Sequence, residues 1–158
     1  MLIDQDDTPL HLGAVHRVLT AVAIEDVARA ATAVGLAWRP GDPGTALGAL
    51  EPGTMVLTDG TTWGALRTIG ERDRTMVERL HQQVLTTLRP APSRLDYHHS
   101  VEDTLTAIRG GDVAVLLPAP ELALVLRAVE AGRLLPEKAT SFQPKPSVGV
   151  LMRSLLDG

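Results

Sequence analysis

Met55-Val-Leu-Thr-Asp-Gly-Thr-Thr-Trp-Gly-Ala-Leu66 lies near the middle of a chain of 158 residues and contains two short apolar runs separated by polar residues. Asp59-Gly60 predicts a tight turn between the runs, because an Asp-Gly pair readily adopts the positive φ angles that a two-residue hairpin connection needs. The stretch therefore indicates two antiparallel strands, joined as a hairpin, at the centre of the fold.

Helical and strand-like segments alternate on both sides of this hairpin. Apolar residues at spacings of three and four predict helices over residues 24–34, 71–88, 100–109 and 120–131, with a shorter one over 45–50. Short apolar runs predict strands within residues 8–20, 37–39, 95–99, 113–117 and 148–152. This interleaving predicts an α+β fold with a mixed sheet, the central hairpin and about four helices packed on the sheet. The length predicts a single domain over residues 1–158.

Charge and composition restrict the partners that the chain could bind. It has 15 Lys and Arg against 19 Asp and Glu, so its formal net charge is −4 at pH 7. This balance provides no general attraction to nucleic-acid phosphates or anionic membranes, so neither is expected as a partner. The sequence has no cysteine, which excludes disulfides and thiolate catalysis. The acidic start and the absence of a long apolar run predict a cytoplasmic protein.

The pair His16-Arg17 is a candidate for chemistry at the end of a predicted strand. A neutral imidazole can exchange a proton near pH 7, and a guanidinium can hold a carboxylate or phosphate through a fork of N–H groups. Adjacent strand residues point to opposite faces. A second interpretation therefore stays open, in which Arg17 forms a surface ion pair and His16 is hydrogen-bonded in the core.

The other histidines provide fewer indications of a site. His98-His99 would also project to opposite faces of a strand, and no third ligand accompanies them at a metal-binding spacing. We therefore expect no metal and no cofactor. His81 lies on a predicted amphipathic helix, where a surface position without a role is expected.

Both lysines of the chain, Lys138 and Lys145, fall in the proline-rich segment after the last predicted helix. An ordered loop that carries these ammonium groups and the hydroxyl of Thr140 could bind an anion. The alternative is a structural loop that the ring of Phe142 fixes to the sheet.

Pro136-Glu-Lys-Ala-Thr-Ser-Phe-Gln-Pro-Lys-Pro-Ser-Val-Gly-Val150 resembles the closing signature of the bacterial proteins catalogued as domain of unknown function 1015. That signature runs Pro-Pro-Lys-Ser-Thr-Tyr-Phe-Tyr-Pro-Lys and is followed by a glycine and an apolar strand. Further motifs that resemble the family are Tyr97-His98-His99, Gly111-Asp-Val-Ala-Val-Leu-Leu-Pro118 and His16-Arg17. The resemblance covers most of this chain but about the C-terminal half of a typical member. Members carry upstream an Asp-Gly-His-His-Arg box, which resembles the phosphate-handling box of ParB-like proteins and free-serine kinases and which this sequence lacks.

These observations lead to two functional hypotheses, which leave open whether the chain is an enzyme. The first is a domain that binds a small anionic metabolite, phosphorylated or carboxylated. In it, His16 and His99 exchange a proton in an acid/base step. Four residues hold the charge of the ligand, namely Arg17, Lys138, Thr140 and Lys145. This hypothesis predicts that the side chains converge on one pocket.

The second hypothesis is a non-catalytic subunit or a self-associating module, such as a homodimer. Its partner would be a separately encoded ParB-like half or a second copy of the chain. This hypothesis predicts an exposed apolar patch where the partner packs.

Overall fold

A six-stranded sheet forms the centre of the computed structural model, which describes residues 11–143. The strands of these residues are β1 (His11–Gly13), β2 (His16–Thr20), β3 (Leu36–Gly41), β4 (Thr54–Thr58), β5 (Trp63–Thr68), β6 (Arg94–His98), β7 (Asp112–Leu116) and β8 (Ser141–Gln143). β1 and β8 form a separate antiparallel pair. The helices are α1 (Ile24–Ala33), α2 (Pro43–Gly48), α3 (Met76–Arg79), α4 (Leu85–Thr87), α5 (Val101–Ala107) and α6 (Leu122–Glu130), and a π-helical turn (Leu80–Val84) joins α3 to α4.

The strand order of the main sheet is β3-β5-β4-β7-β2-β6, and every hydrogen-bonded pair in it is antiparallel. The predicted α+β class is therefore confirmed. The sheet is antiparallel rather than mixed, which corrects that part of the expectation. The reason lies in the connections: α1 links β2 to β3, for example, and these strands have the same direction but are separated in the sheet by three others. Helix-linked strands thus do not become hydrogen-bonded neighbours here.

β4 and β5 form the predicted hairpin, but with a longer connection than the two-residue turn. Strand pairing resumes between Thr58 and Trp63, so residues 59–62 form the loop. The Asp59 carboxylate accepts hydrogen bonds from the backbone N–H groups of Thr61 at 2.9 Å and Thr62 at 2.7 Å. Gly60 has a φ of +92°, the positive φ that the Asp-Gly pair predicted and that glycine readily adopts.

The sheet separates two apolar layers, because successive strand residues point to opposite faces. On β4, Met55 and Leu57 belong to a large cluster that includes residues of α1 and of the α3–α4 segment. Val56 belongs to a smaller cluster on the other face, with Ala46 of α2. All four side chains are buried. Full burial of a side chain such as Leu57 contributes roughly 1.5–3 kcal/mol to folding, so the sheet is stabilised from both faces.

The register brings the beginnings of β2 and β4 to the same end of the sheet as the ends of β5, β6 and β7. His16 pairs with His98, and Val56 pairs with Leu116. We call this the His16 end of the sheet. The loop of the β4–β5 hairpin lies at the opposite end.

Two expectations extend beyond the described residues. The strand predicted within residues 148–152 lies outside them, and the single domain over residues 1–158 stays a prediction for the whole chain. Within residues 11–143, none of the helices has the length and apolar character needed to cross a lipid bilayer.

Candidate functional site

Arg17, the second residue of β2, is fully buried, and five hydrogen bonds hold its guanidinium. Nε donates to Nε2 of His81 at 3.1 Å. Nη1 donates to the carbonyl oxygen of Val15 at 2.7 Å and to that of the next residue at 3.4 Å. Nη2 donates to the carbonyl oxygens of Glu137 at 3.2 Å and Lys138 at 3.0 Å. A guanidinium has five N–H groups, so none of them is left for a ligand in this arrangement.

The Arg17 guanidinium also lies over the ring of Tyr97 on β6, with Cζ 4.4 Å from the ring centroid, a cation–π geometry. Burial lowers the pKa of Arg17 to about 10, so the group keeps its charge at neutral pH. Arg17 thus joins β2, β6, the π-helical turn and the loop at residues 137–138. Direct binding of a ligand by Arg17 stays a prediction, and the ligand would have to displace one of these acceptors.

His81, which the sequence pattern left without a role, is part of this network. It lies half-buried in the π-helical turn and accepts the hydrogen bond from Arg17. An acceptor nitrogen carries no proton, so the ring is neutral, with its proton on Nδ1. Burial, and next the positive charge of Arg17, lower the pKa of His81 to about 4. A π-helical turn often marks a functional position, but the spacing of apolar residues does not predict where a π-helical turn forms.

His16 and His98 face each other across the β2–β6 pair. They are direct partners in the register, which places both side chains on the same face of the sheet. Nδ1 of the buried His16 accepts a hydrogen bond from the backbone N–H of Leu117 at 3.1 Å, so its proton is on Nε2. Burial, and next the charge of Arg17, lower the pKa of His16 to about 4. Nε2 of His98 is buried and has no hydrogen-bond partner within residues 11–143.

Of the other predicted site residues, His99 and Lys138 lie next to elements at this end of the sheet. His99 directly follows β6 and is exposed. Lys138 is exposed and has a left-handed backbone, with a φ of +52°, and Arg17 holds its carbonyl oxygen. Thr140 is half-buried. Lys145 lies outside the described residues.

The structure therefore places His16, Arg17, His99 and Lys138 at one end of the sheet, but His16 and Arg17 lie on opposite faces and do not converge on one pocket. Arg17 lies on one face with Tyr97, next to the loop that carries Lys138, whereas His16 lies on the other face with His98. This is the divergence expected for adjacent strand residues. In the part of the chain that the structure describes, no three His, Asp or Glu side chains are grouped so that they could hold a metal ion.

The fold is shared with larger proteins. No family model matches the sequence, and no curated protein matches it. A conserved hypothetical protein from Pyrococcus furiosus is similar in structure, with a TM-score of 0.58 and 18% identity over 90% of this chain and 60% of that one. A mutant of free serine kinase is also similar at 18% identity, in complexes with AMP and with ADP, with TM-scores of 0.59 and 0.55.

The likeness at 18% identity shows the fold alone. This chain spans 57% of the free serine kinase chains, with 90% of its own residues covered. It thus corresponds in extent to little more than half of those structures.

Proposed function

We propose that this chain is a ligand-binding domain for a small anionic metabolite, phosphorylated or carboxylated, and that the ligand binds at the His16 end of the sheet. The fold likeness to a free serine kinase in complex with AMP and ADP supports a phosphorylated ligand. The positions of His16, His98, His99 and Lys138 at one end of the sheet support the location.

The observation that carries the proposal is the imidazole pair His16 and His98. A buried polar nitrogen without a partner costs roughly 1–3 kcal/mol, and Nε2 of His98 is such a nitrogen in the described part of the chain. Nε2 of His16, on the same face, carries a proton because Nδ1 is occupied by the N–H of Leu117. A ligand that supplies a hydroxyl to His98 and an anionic oxygen to His16 would satisfy both groups.

The two candidate acid/base residues suit different tasks. With a pKa of about 4, His16 is neutral at pH 7 and suits hydrogen-bond donation rather than proton release. His99 is exposed, so its ring is accessible to a ligand and to water, and it is the residue we assign to a proton-transfer step. Lys138 is on the loop next to the opposite face of the sheet from the imidazole pair, so it would contribute a point charge from across this end of the sheet. Lys145 and Thr140 stay in the proposal as further ligand-binding residues, and Arg17 as the group that positions the loop.

The proposal is tested by thermal unfolding of the wild type and of His98→Ala with four probes, namely AMP, ADP, inorganic phosphate and succinate. A ligand that binds only the folded state raises the unfolding midpoint by mass action. We expect at least one probe to raise the midpoint of the wild type but not of His98→Ala. Arg109→Gln, which removes an exposed charge from the opposite end of the sheet, is the control and keeps the response. If none of the probes raises the wild-type midpoint at about 10 mM, where even a millimolar site responds, the proposal is wrong.

We also infer that the chain belongs to the family catalogued as domain of unknown function 1015. The Pro136–Val150 signature and the Tyr97-His98-His99 motif support this assignment. It would relate the chain to the half of the family that follows the Asp-Gly-His-His-Arg box.

A second candidate function, an interaction module, is favoured by an exposed apolar surface on α6. Leu126 and Val129 on this helix are 51% and 63% exposed, and Leu134 after it is 88% exposed. The spacing of three between the two helix residues puts them on the same face. Sedimentation analysis over a range of concentrations tests this candidate. We expect the wild type to associate and the double variant Leu126→Ser and Val129→Ser to lose this association. A wild type that stays monomeric both on its own and with a ParB-like partner would contradict this candidate function.

A further inference from the structure

A polar cleft lies at the His16 end, between the beginning of β4 and the end of β5. Its volume is about 160 Å³, and its lining is Pro52, Gly53, Arg67, Thr68, Gly70 and Arg72. None of these lining residues is acidic, although the chain as a whole carries a net charge of −4. The lining therefore has two positively charged residues, whereas the chain as a whole is negatively charged.

Arg72 is held in a defined position on one wall of the cleft. Its Nη1 donates to the carbonyl oxygen of Pro52 at 2.7 Å. Its methylene stem lies directly on Gly53, where a Cβ would come within 2.6 Å of Cδ of Arg72. A side chain at this position would force Arg72 to move, and the φ of +86° at Gly53 also favours glycine there. The remaining N–H groups of Arg72 have no hydrogen-bond partner among residues 11–143.

Arg67, at the end of β5, forms the other basic group of the cleft. Its Nη2 lies 3.3 Å from Oε1 of Glu51, and the two side chains are 66% and 55% exposed. An exposed ion pair of this kind contributes little, about 0–1 kcal/mol. An incoming anion could therefore compete with Glu51 for the guanidinium at a small cost.

The geometry points to an oxyanion site of phosphate size, in which the guanidinium groups of Arg67 and Arg72 hold the anion between them. Two guanidinium groups from different segments present N–H forks that match the oxygens of a phosphate group. The ligand class is a phosphomonoester or inorganic phosphate. The site is separate from the imidazole pair of His16 and His98, so it does not depend on the proposed function.

The test is a titration of ¹⁵N-labelled protein with inorganic phosphate at low ionic strength, where exposed charges are screened least. The backbone amides of Gly53 and Gly70 report on the cleft. We expect saturable shifts of both signals in the wild type. We expect Arg72→Gln to weaken binding at least about five-fold, because it removes a charged fork, and Arg72→Lys to restore it only in part.

Arg109→Gln is the matched control, since Arg109 is also an exposed arginine whose Nη1 donates to backbone carbonyls, and it should bind phosphate as the wild type does. Gly53→Ala keeps every charge but displaces Arg72 from its place, so we expect it to weaken binding as well. Equal losses in Arg109→Gln and Arg72→Gln, full binding by Gly53→Ala, or no saturable shift in the wild type would each overturn the assignment.

The same titration separates this site from the proposed function. The side-chain ¹⁵N signals of His16 and His98 report on the imidazole pair. Phosphate that shifts only the glycine amides supports the arginine cleft and leaves the imidazole pair without an anionic ligand. Phosphate that shifts only the imidazole signals supports the imidazole pair and leaves the arginine cleft without an anionic ligand.

Discussion

Arg17 organises the His16 end of the sheet, because its guanidinium contacts three segments that are distant in sequence as well as the backbone next to Arg17. Its partners are the beginning of β2, the ring of Tyr97, the imidazole of His81 and the loop that contains Lys138. Within residues 11–143, no carboxylate oxygen is among its hydrogen-bond acceptors. The buried charge is instead solvated by carbonyl dipoles and a neutral imidazole, which replace the water lost on folding.

Arg17→Lys should therefore destabilise the protein although it keeps the charge. A lysine has three donors and no planar fork, so several buried acceptors would lose their partner. We expect a loss of about 3 kcal/mol in the free energy of unfolding, measured by urea denaturation. Arg29→Lys on the exposed side of α1 is the control and should change it by less than about 0.5 kcal/mol. Equal stability of the two variants would show that the Arg17 network does not stabilise the fold.

The neutral histidines predict how stability depends on pH. His16 and His81 have pKa values of about 4 in the folded protein, below the ordinary value of 6.5. Between these two pH values the unfolded chain binds more protons than the folded one, so stability is complete above about pH 6.5 and is lost as the pH falls toward 4. The thermal unfolding midpoint should therefore decrease as the pH is lowered from 6.5 to 4.

His81→Gln tests the contribution of one of these groups. A glutamine oxygen can accept the hydrogen bond from Arg17 but does not titrate, so the midpoint should depend less steeply on pH between 4 and 6.5. Thr61→Ala, at an exposed loop position without a titratable group, is the control and should leave the slope of the wild type unchanged. Identical slopes for both variants would contradict the role assigned to His81.

At the level of elements, the pairing of β3 with β5 depends on one close approach. Trp38 lies across Gly64, where a Cβ would come within 2.6 Å of the carbonyl oxygen of Arg39 and within 2.8 Å of Cζ2 of the indole ring. β3 is one of the two edge strands of the sheet. It also contains Pro40, which has no N–H to offer to a further strand and so limits edge-to-edge pairing.

Gly64→Ala should force Trp38 or the β3 backbone away from β5. We expect a loss of about 1–3 kcal/mol in the free energy of unfolding, the range for overpacking. Gly48→Ala in α2 is the matched control, because no atom lies within 4 Å of its added Cβ and alanine is favoured in helices. That variant should be as stable as the wild type or more so. A Gly64→Ala protein with unchanged stability would mean that the indole ring does not restrict this position.

For the whole molecule, the shared central strands predict cooperative unfolding. β2, β4 and β7 lie between the two apolar layers, and all of their residues but Thr20 are buried. The chain has two tryptophans, and they report on opposite faces: Trp38 packs on the large cluster and Trp63 on the small one. Neither layer can be lost without exposing the strands that the other one covers.

The single-tryptophan variants Trp63→Phe and Trp38→Phe test this cooperativity in urea. In each variant, the fluorescence transition and the far-UV circular dichroism transition should coincide, as two-state unfolding requires. The midpoint itself will be lower in Trp38→Phe, because the ring over Gly64 is smaller. Fluorescence and circular dichroism transitions that separate within one variant would show that the two layers unfold independently.

Most local elements follow from residues that are close together in the chain. The β4–β5 hairpin is as predicted, although its connection is a four-residue loop rather than a two-residue turn. The positive φ of +86° at Gly35 after α1 and the Ser100 side chain that accepts from the N–H of Asp103 at 3.0 Å are local features of the same kind. These features depend on residues within a few positions of one another. Their free energies are therefore set by local backbone geometry and capping, which the order of residues specifies directly.

The strand order and the contacts of the candidate site depend on residues that are far apart in the chain. Arg17 meets His81 across 64 residues and Lys138 across 121, and the Arg67–Arg72 cleft forms where two segments come together around Gly53. Whether Arg17 faces a ligand or the core depends on which strands lie beside β2, and the pattern of apolar residues is the same in both cases. The burial of the whole sheet determines which way Arg17 is used, because it fixes which polar groups lose water and need hydrogen-bond partners within the protein.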